Sequence, residues 1–263
     1  MKKYKPLIVA LPKFTMVDTG LRCFLRSYAK HLMTKAELVV PVEVPPDVRE
    51  AVREAGGTVI RSHLPAVAHL RSADAVSRIA RDQPDRPVMV VIPGYTVFQH
   101  DHLFRYCDGD AVTVSAESGM VPHDVAAREA WDEFNSSLRS PLRKDTAAQV
   151  QIVSPVVAAG PARLVGPFEF ARAAMDAYET RTLYTRHEHT HTTALADWAK
   201  FWPWFKVVQG NVPWVSHGHW ATQDGAVFDK GVAVAKTSGE PYAIFHDWHR
   251  VKDVSKQVER IYS

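Results

Sequence analysis

Cysteine is nearly absent from this sequence: Cys23 and Cys107 are the only two in 263 residues, far apart and without a C-x-x-C spacing. That excludes a disulfide framework and a cysteine-based zinc site as organising devices, and both are expected to be free thiols. Long apolar runs are missing as well. The cleanest run near the start, Leu7 to Leu11, follows Lys2 and Lys3 but falls far short of the roughly 20 residues of a membrane span and is too short for a signal-peptide core. The expectation is a cytoplasmic protein without a membrane span. Charge of one sign is not in excess: 32 basic against 29 acidic residues give a formal +3 with no dominant Lys/Arg run, which does not mark a nucleic-acid binder and leaves room for an anionic ligand. The turn after the first apolar run, Pro12-Lys13-Phe14-Thr15-Met16, has no G-x-G-x-x-G, and no P-loop pattern occurs. A dinucleotide-dependent oxidoreductase is therefore disfavoured.

What is present is a chain with 46% hydrophobic and 23% charged residues, enough to bury a full core as a single domain. Its first half alternates β-branched runs with helical patterns, the signature of βαβ units on a mostly parallel sheet. Pro6 to Leu11 reads as a strand. Leu21, Phe24, Leu25, Tyr28 and Leu32 then recur at helical spacing, with Asp18 or Thr19 placed to cap. The strand Glu37 to Val42, a helix opened by Pro45-Pro46 and stopped at Gly56-Gly57, and the strand Thr58 to Arg61 follow. Leu70 to Arg81 supplies another helix, and Pro87 to Ile92 is a continuous apolar run suited to a central strand buried on both faces, ending at Pro93-Gly94. Ligands of open α/β sheets bind outside the carboxyl ends of strands, so the segments after Leu11 and Ile92 are the first places to look for a site. The second half is less regular. Strands are expected at Ala111 to Ala116, Val150 to Ala159, Val232 to Ala235 and Tyr242 to His246. Helices are expected at about Pro122 to Leu138, at Val165 to Thr182, at Thr192 to Phe205 as one helix or a pair interrupted at Pro203, and over Val251, Val254, Val258 and Ile261.

Four segments together resemble the nucleotide-sugar glycosyltransferases of the GT-A fold, in their bacterial and viral forms. The first is Leu21 to Val42, where a helix containing Arg26-Ser27 leads into a Leu-Val-Val strand. The second, Arg71 to Phe104, is a helix, a buried strand and then Val97-Phe98-Gln99 followed by Phe104. The third is Ile152 to Gly160 with the Phe168 to Tyr178 helix, where Val153-Ser154-Pro155 stands in place of the usual Asn-Ser-Gly. The fourth, Glu240 to Arg250, is a late strand ending in His246, followed by polar and aromatic residues and an arginine. The resemblance implies an α/β, Rossmann-like, mostly parallel sheet flanked by helices. It divides the single domain into a nucleotide-sugar-binding half (1–118) and an acceptor-side half (119–263). It also implies a hexosyl- or pentosyltransferase with a nucleoside-diphosphate sugar, UDP-sugars first, as donor. The acceptor implied is a hydroxyl of a saccharide or of a hydroxylated base in phage DNA. The family's paired aspartates, which hold manganese or magnesium against the donor diphosphate, are replaced here by Ile92-Pro93-Gly94-Tyr95.

Breaking a sugar–diphosphate bond requires the leaving diphosphate to be stabilised by a metal or by positioned cations. His246, His249, Arg250 and Lys252 offer such groups within seven residues, and the donor is expected beyond Leu11, Pro12, Ile92, Gly94 and Tyr95, with Arg71 or Arg78 reaching from the preceding helix. A solvated strand-to-helix loop is the plainer account of the same residues. A carboxylate is the usual base toward an acceptor hydroxyl, and Asp197 and Glu117 are the candidates, each equally able to serve as a helix cap or salt-bridge partner. Thirteen histidines are unusual. His100 and His102, or His187, His189 and His191, would face one way on an extended segment, as metal ligands or as ordinary surface loops. Asp108-Gly109-Asp110 is a literal Asp-x-Asp that reads as a turn. Trp198, Trp202, Trp204, Trp214 and Trp220 supply core, with one or two available for stacking. Two other classes compete with an active transferase: a silent GT-A relative that binds a ligand or partner, and a nucleic-acid-binding module using Arg139, Arg143 and Lys144.

Overall fold

The fold is seen in a computed structural model that describes residues 4–11, 16–41, 44–60, 68–107, 109–120, 151–179, 203–208, 212–218 and 226–262. The first half runs β1 (Leu7–Ala10), α1 (Thr19–His31), β2 (Glu37–Val40), α2 (Pro46–Glu54), β3 (Thr58–Val59), α3 (Ala68–Asp82), β4 (Pro87–Val91), β5 (Thr96–Phe98) and β6 (Val112–Met120). The second half adds β7 (Gln151–Pro161), α4 (Ala162–Glu179), β8 (Phe205–Val208), β9 (Val215–His217), β10 (Ala226–Asp229), β11 (Val232–Ala235) and β12 (Ile244–His246). A 3-10 turn (Trp248–Arg250) and α5 (Lys252–Tyr262) close the chain.

Seven strands form one sheet in the order β3-β2-β1-β4-β7-β6-β8. β1, β2, β3 and β4 pair in parallel, β7 is antiparallel to both β4 and β6, and β8 runs parallel to β6. The α/β, mostly parallel architecture is thus present, with β7 reversed. Alternation along each strand divides the apolar side chains between two faces. Ile8, Ala10, Leu38, Val40, Met89 and Val91 pack against α1 and α2. Leu7, Val9, Val39, Val88 and Val90 pack with Val76 of α3 and Val165 and Phe168 of α4. Burial on both faces is why these strands read as unbroken apolar runs.

A second sheet, β5-β12-β9, lies beyond the α1 side. Phe98, Val215 and Ile244 join the core shared with α1, while Val97 and Phe245 face a third cluster with Trp248, the β10–β11 hairpin and α5. Strand β5 borders α1, and its outward backbone groups are covered by side chains. The Phe98 N–H donates to Ser27 Oγ (3.0 Å), and Tyr262 Oη donates to the Phe98 carbonyl (3.1 Å). Closing an edge in this way removes a template for unwanted strand pairing. It also gives the Arg26-Ser27 pair a role: Ser27 is buried and holds β5, whereas Arg26 is exposed.

Several expectations shift. Asp18 is the cap of α1, accepting from the Leu21 N–H at 2.8 Å. The expected helix Thr192 to Phe205 lies outside the described residues except at its end, where Pro203 and Trp204 form a turn. Pro203 bars helix continuation, and Phe205 opens β8 in register with Val112. β3 stops at Val59, although the Ile60 N–H still reaches the Val40 carbonyl at 2.9 Å. The helix expected at Pro122 to Leu138 lies outside the described residues. The short strands β5, β9 and β10 were not anticipated, because three or four residues carry too little periodicity.

Candidate functional site

The site begins where β4 ends. After Val91 the chain turns through Ile92-Pro93-Gly94-Tyr95, held by the Thr96 N–H on the Pro93 carbonyl (3.0 Å) and the Thr96 hydroxyl on the Ile92 carbonyl (2.7 Å). It then leaves the main sheet as β5. Antiparallel pairing sets Thr96 opposite His246, and parallel pairing sets His246 beside His217. Directly paired residues project to the same face, so Thr96, His246 and His217 form a row across three strands. Thr96 Oγ1 lies 2.7 Å from His246 Nδ1, and the His246 and His217 rings meet edge to face with centroids 5.9 Å apart. Thr96 and His217 are buried, while the His246 side chain keeps 13% of its surface exposed.

β12 ends in a sharp turn at Asp247, which adopts a left-handed backbone (φ 52°). Among residues other than glycine, Asp and Asn tolerate that conformation best. The turn points the Asp247 carboxylate back at three basic groups: His246 Nε2 at 3.4 Å, Arg250 Nε at 3.2 Å and His249 Nδ1 at 4.0 Å. His249 stacks on Tyr95 with ring centroids 3.8 Å apart and planes 30° from parallel, and Trp248 meets Tyr95 edge-on at 5.4 Å. Burial lowers the His249 pKa from its ordinary 6.5, opposed by Asp247 and assisted by Arg250. Burial thus favours the neutral ring of His249 as an aromatic partner of Tyr95, and Arg250 supplies the fixed cation.

Helix α1 approaches the same place. A Cβ on Gly20 would lie 3.0 Å from the Gly94 carbonyl oxygen, so the first turn of α1 rests directly on the segment after β4. Among the described residues nothing lies within 4 Å of a Cβ added to Gly94.

The remaining expected residues are dispersed. Leu11 is wholly buried in the α3–α4 core and contributes only backbone to the strand ends, its N–H donating to the Val91 carbonyl at 2.8 Å. Ile92 packs partly on the same core. Lys252 is exposed at the start of α5, and Arg71 is half-buried in the first turn of α3. Arg78 is paired with Asp74 one turn away on α3, at 2.7 Å, a solvated helix pair. Glu117 falls on β6 within its irregular pairing to β7, between Ala116 and Met120. That stretch is the carboxyl end of β6, on the same sheet edge as the end of β4 and two strands away, about 10 Å. Pro12, Asp197, His187, His189, His191, Trp198, Trp202, Trp220, Arg139, Arg143 and Lys144 lie outside the described residues.

Other candidates resolve into structure. Gln99 is buried and makes three bonds: its Nε2 donates to the carbonyls of Ala233 (3.1 Å) and Tyr242 (2.7 Å), and its Oε1 accepts from the Ala233 N–H (2.8 Å). The Val97-Phe98-Gln99 segment is thus a clamp between β5 and β11. Trp214 is buried with its indole N–H on the Leu103 carbonyl at 2.9 Å. Asp110 pairs with Arg163 at 3.1 Å just before β6, at the sheet edge opposite the end of β4; Asp108 is outside the described residues. His100 accepts from the His102 N–H through Nδ1 (3.0 Å) and contacts the Pro241 carbonyl through Nε2 (3.2 Å), a local turn network. Both cysteines are free, and burial pushes their pKa values up, Cys23 to about 11 and Cys107 to about 12, so neither is a nucleophile.

Among the described residues no group of three or more His, Cys, Asp or Glu is arranged to hold a metal ion. At the end of β4, where the resemblance implies paired aspartates, the chain presents Ile92, Pro93, Gly94 and Tyr95, and Asp247 is engaged with Arg250. These residues do not fit a diphosphate-bridging divalent cation. No helix is long and apolar enough to cross a membrane among the described residues. No protein-family model matches the sequence, and no curated protein matches it.

Proposed function

We propose that the chain is a glycosyltransferase of the GT-A type that takes a nucleoside-diphosphate sugar, a UDP-sugar first, and transfers the sugar to a hydroxyl acceptor. One observation carries this reading: pairing of β5 with β12 brings His246, and with it Asp247, His249 and Arg250, to the turn that ends the central strand β4. Chemistry-bearing residues about 150 positions apart thus meet in the crevice where open α/β sheets receive ligands. In this reading the donor lies over Gly94, where space is open. The Tyr95–His249 stack offers an aromatic surface for a base or sugar, and Arg250 with His246 faces the diphosphate.

The chemistry asked of these residues is to hold charge as the glycosidic bond to the diphosphate breaks. A guanidinium and an imidazole fixed in a partly buried site do this without reorganising at the moment of reaction. A proton must also leave the acceptor hydroxyl, and Glu117 and Asp197 remain the proposed bases. The acceptor is a saccharide or a hydroxylated nucleic-acid base.

A second reading, a silent GT-A relative that binds but does not turn over, is favoured by Ile92-Pro93-Gly94-Tyr95 standing where carboxylates are implied. Calorimetric titration with a panel of UDP- and other nucleoside-diphosphate sugars, with and without manganese, separates the two when hydrolysis is followed in the same samples. Binding with slow hydrolysis, unaffected by manganese, is the expected result. Binding without hydrolysis, persisting with candidate acceptors, selects the silent relative. Failure to bind any donor overturns both.

A further inference from the structure

We propose that Thr96 is a positioning residue that holds the proton of neutral His246 on Nδ1, so that every proton His246 exchanges passes through Nε2. The inference deepens the glycosyltransferase reading above but does not depend on it for its test. The Thr96 hydroxyl has one proton and two close neighbours: the Ile92 carbonyl at 2.7 Å and His246 Nδ1 at 2.7 Å. A carbonyl only accepts, so the hydroxyl proton goes to Ile92 and the hydroxyl oxygen is left to accept. His246 Nδ1 must then be the donor. The bond one ring nitrogen makes decides which nitrogen carries the proton of a neutral histidine, and here that bond selects the form opposite to the one a free histidine side chain favours.

The placement is over-determined by the fold. Thr96 is fixed twice by the turn after β4, through its N–H on Pro93 and its hydroxyl on Ile92, and is opposed to His246 in strand register. His217 limits the ring from the other strand, and Asp247 Oδ1 lies 3.4 Å from Nε2. Nε2 is thus the nitrogen whose protonation answers to charge. Protonated, it donates to Asp247 or to a diphosphate oxygen; deprotonated, it presents a lone pair. The end of β4 and the end of β12 are coupled through one hydroxyl.

The test is nitrogen-15 NMR of the full-length protein with labelled histidine, His246 being assigned by loss of its signals in H246Q. As pH is raised to about 8, the deprotonated nitrogen of His246 is expected to be Nε2. A wild-type spectrum with the deprotonated nitrogen at Nδ1 overturns the proposal without any variant. Thr96→Val removes the acceptor while keeping the shape, and shifts the neutral form toward the Nε2–H tautomer; Thr96→Ser restores the wild-type pattern. In UDP-glucose hydrolysis, T96V is expected to lower kcat about tenfold with KM within about twofold, and T96S to recover it. A wild-type Nδ1–H form in a protein that uses no donor would leave this inference standing and remove the transferase reading. A working transferase whose His246 carries Nε2–H does the reverse.

Discussion

Gly218 and Asp247 touch backbone to backbone: the Gly218 N–H donates to the His246 carbonyl at 2.8 Å, and a Cβ on Gly218 would lie 2.2 Å from the Asp247 carbonyl oxygen. Backbone cannot yield as a flexible side chain does, so Gly218→Ala must push β9 away from the turn that aims Asp247. The expected cost is about 2 kcal/mol in denaturant unfolding, within the range for overpacking, together with weaker UDP binding as Asp247 and Arg250 move. A variant of wild-type stability and affinity would show that this contact does not position the turn.

Gln99 tests the clamp. Replacing it by leucine keeps bulk but strands the buried Ala233 N–H and takes one donor each from the Tyr242 and Ala233 carbonyls, the latter keeping the Tyr242 N–H at 2.9 Å. Gln99→Leu is expected to lose about 3 kcal/mol and to loosen the β10–β11 hairpin, read as faster amide exchange at Ala233. Protection unchanged at that amide would assign the Val97-Phe98-Gln99 segment some role other than the clamp.

How much of this was legible in the sequence follows from the range of each signal. The β1–α1–β2–α2–β3 order and the buried run of β4 were readable because each element is amphipathic or apolar over its own length and capped locally, as by Asp18 on α1. His246, His249, Arg250, Gly94 and Tyr95 were named in advance, and the structure gathers them. Thr96, Asp247, His217 and Gly218 were missed. Their importance lies in the pairing of β12, which falls within the expected strand Tyr242 to His246, with β5 and β9, strands of three residues with no period to detect. His217 had one usable signal, a histidine closing the short apolar run Trp214-Val215, as His246 closes its own. The lowered pKa of His249 depends on burial beside Tyr95, which no local pattern encodes.

Acid should destabilise the protein from neutral pH downward. His31, His100 and His249 each have a pKa lowered from the ordinary 6.5, with burial the largest cause in all three. The unfolded chain therefore binds more protons than the folded one below about pH 6.5, so stability falls as pH drops through that value toward the lower folded pKa values, then levels. Thermal melts from pH 7.5 to pH 5, values chosen to bracket about 6.5, are expected to show this decline. His249→Phe, which keeps the stack on Tyr95 but cannot take a proton, flattens it in part. An identical slope in H249F would mean that His249 titrates equally in both states.

Gly94 separates a place for the donor from a need of the fold. It has no positive φ, and among the described residues nothing lies within 4 Å of an added Cβ, so Gly94→Ala should fold at least as well as wild type. The gain from restricting the unfolded chain is up to about 1 kcal/mol. Gly94→Leu fills the open space at the end of β4 that the donor is proposed to occupy, and is expected to weaken UDP binding by more than tenfold, roughly 1.4 kcal/mol, with little change in melting temperature. The two variants read different things: alanine reports on the fold, leucine on occupancy. A leucine variant that folds and binds UDP as wild type does would move the donor away from β4. It would leave the Tyr95–His249 stack and the Asp247–Arg250 pair to be tested by their own substitutions.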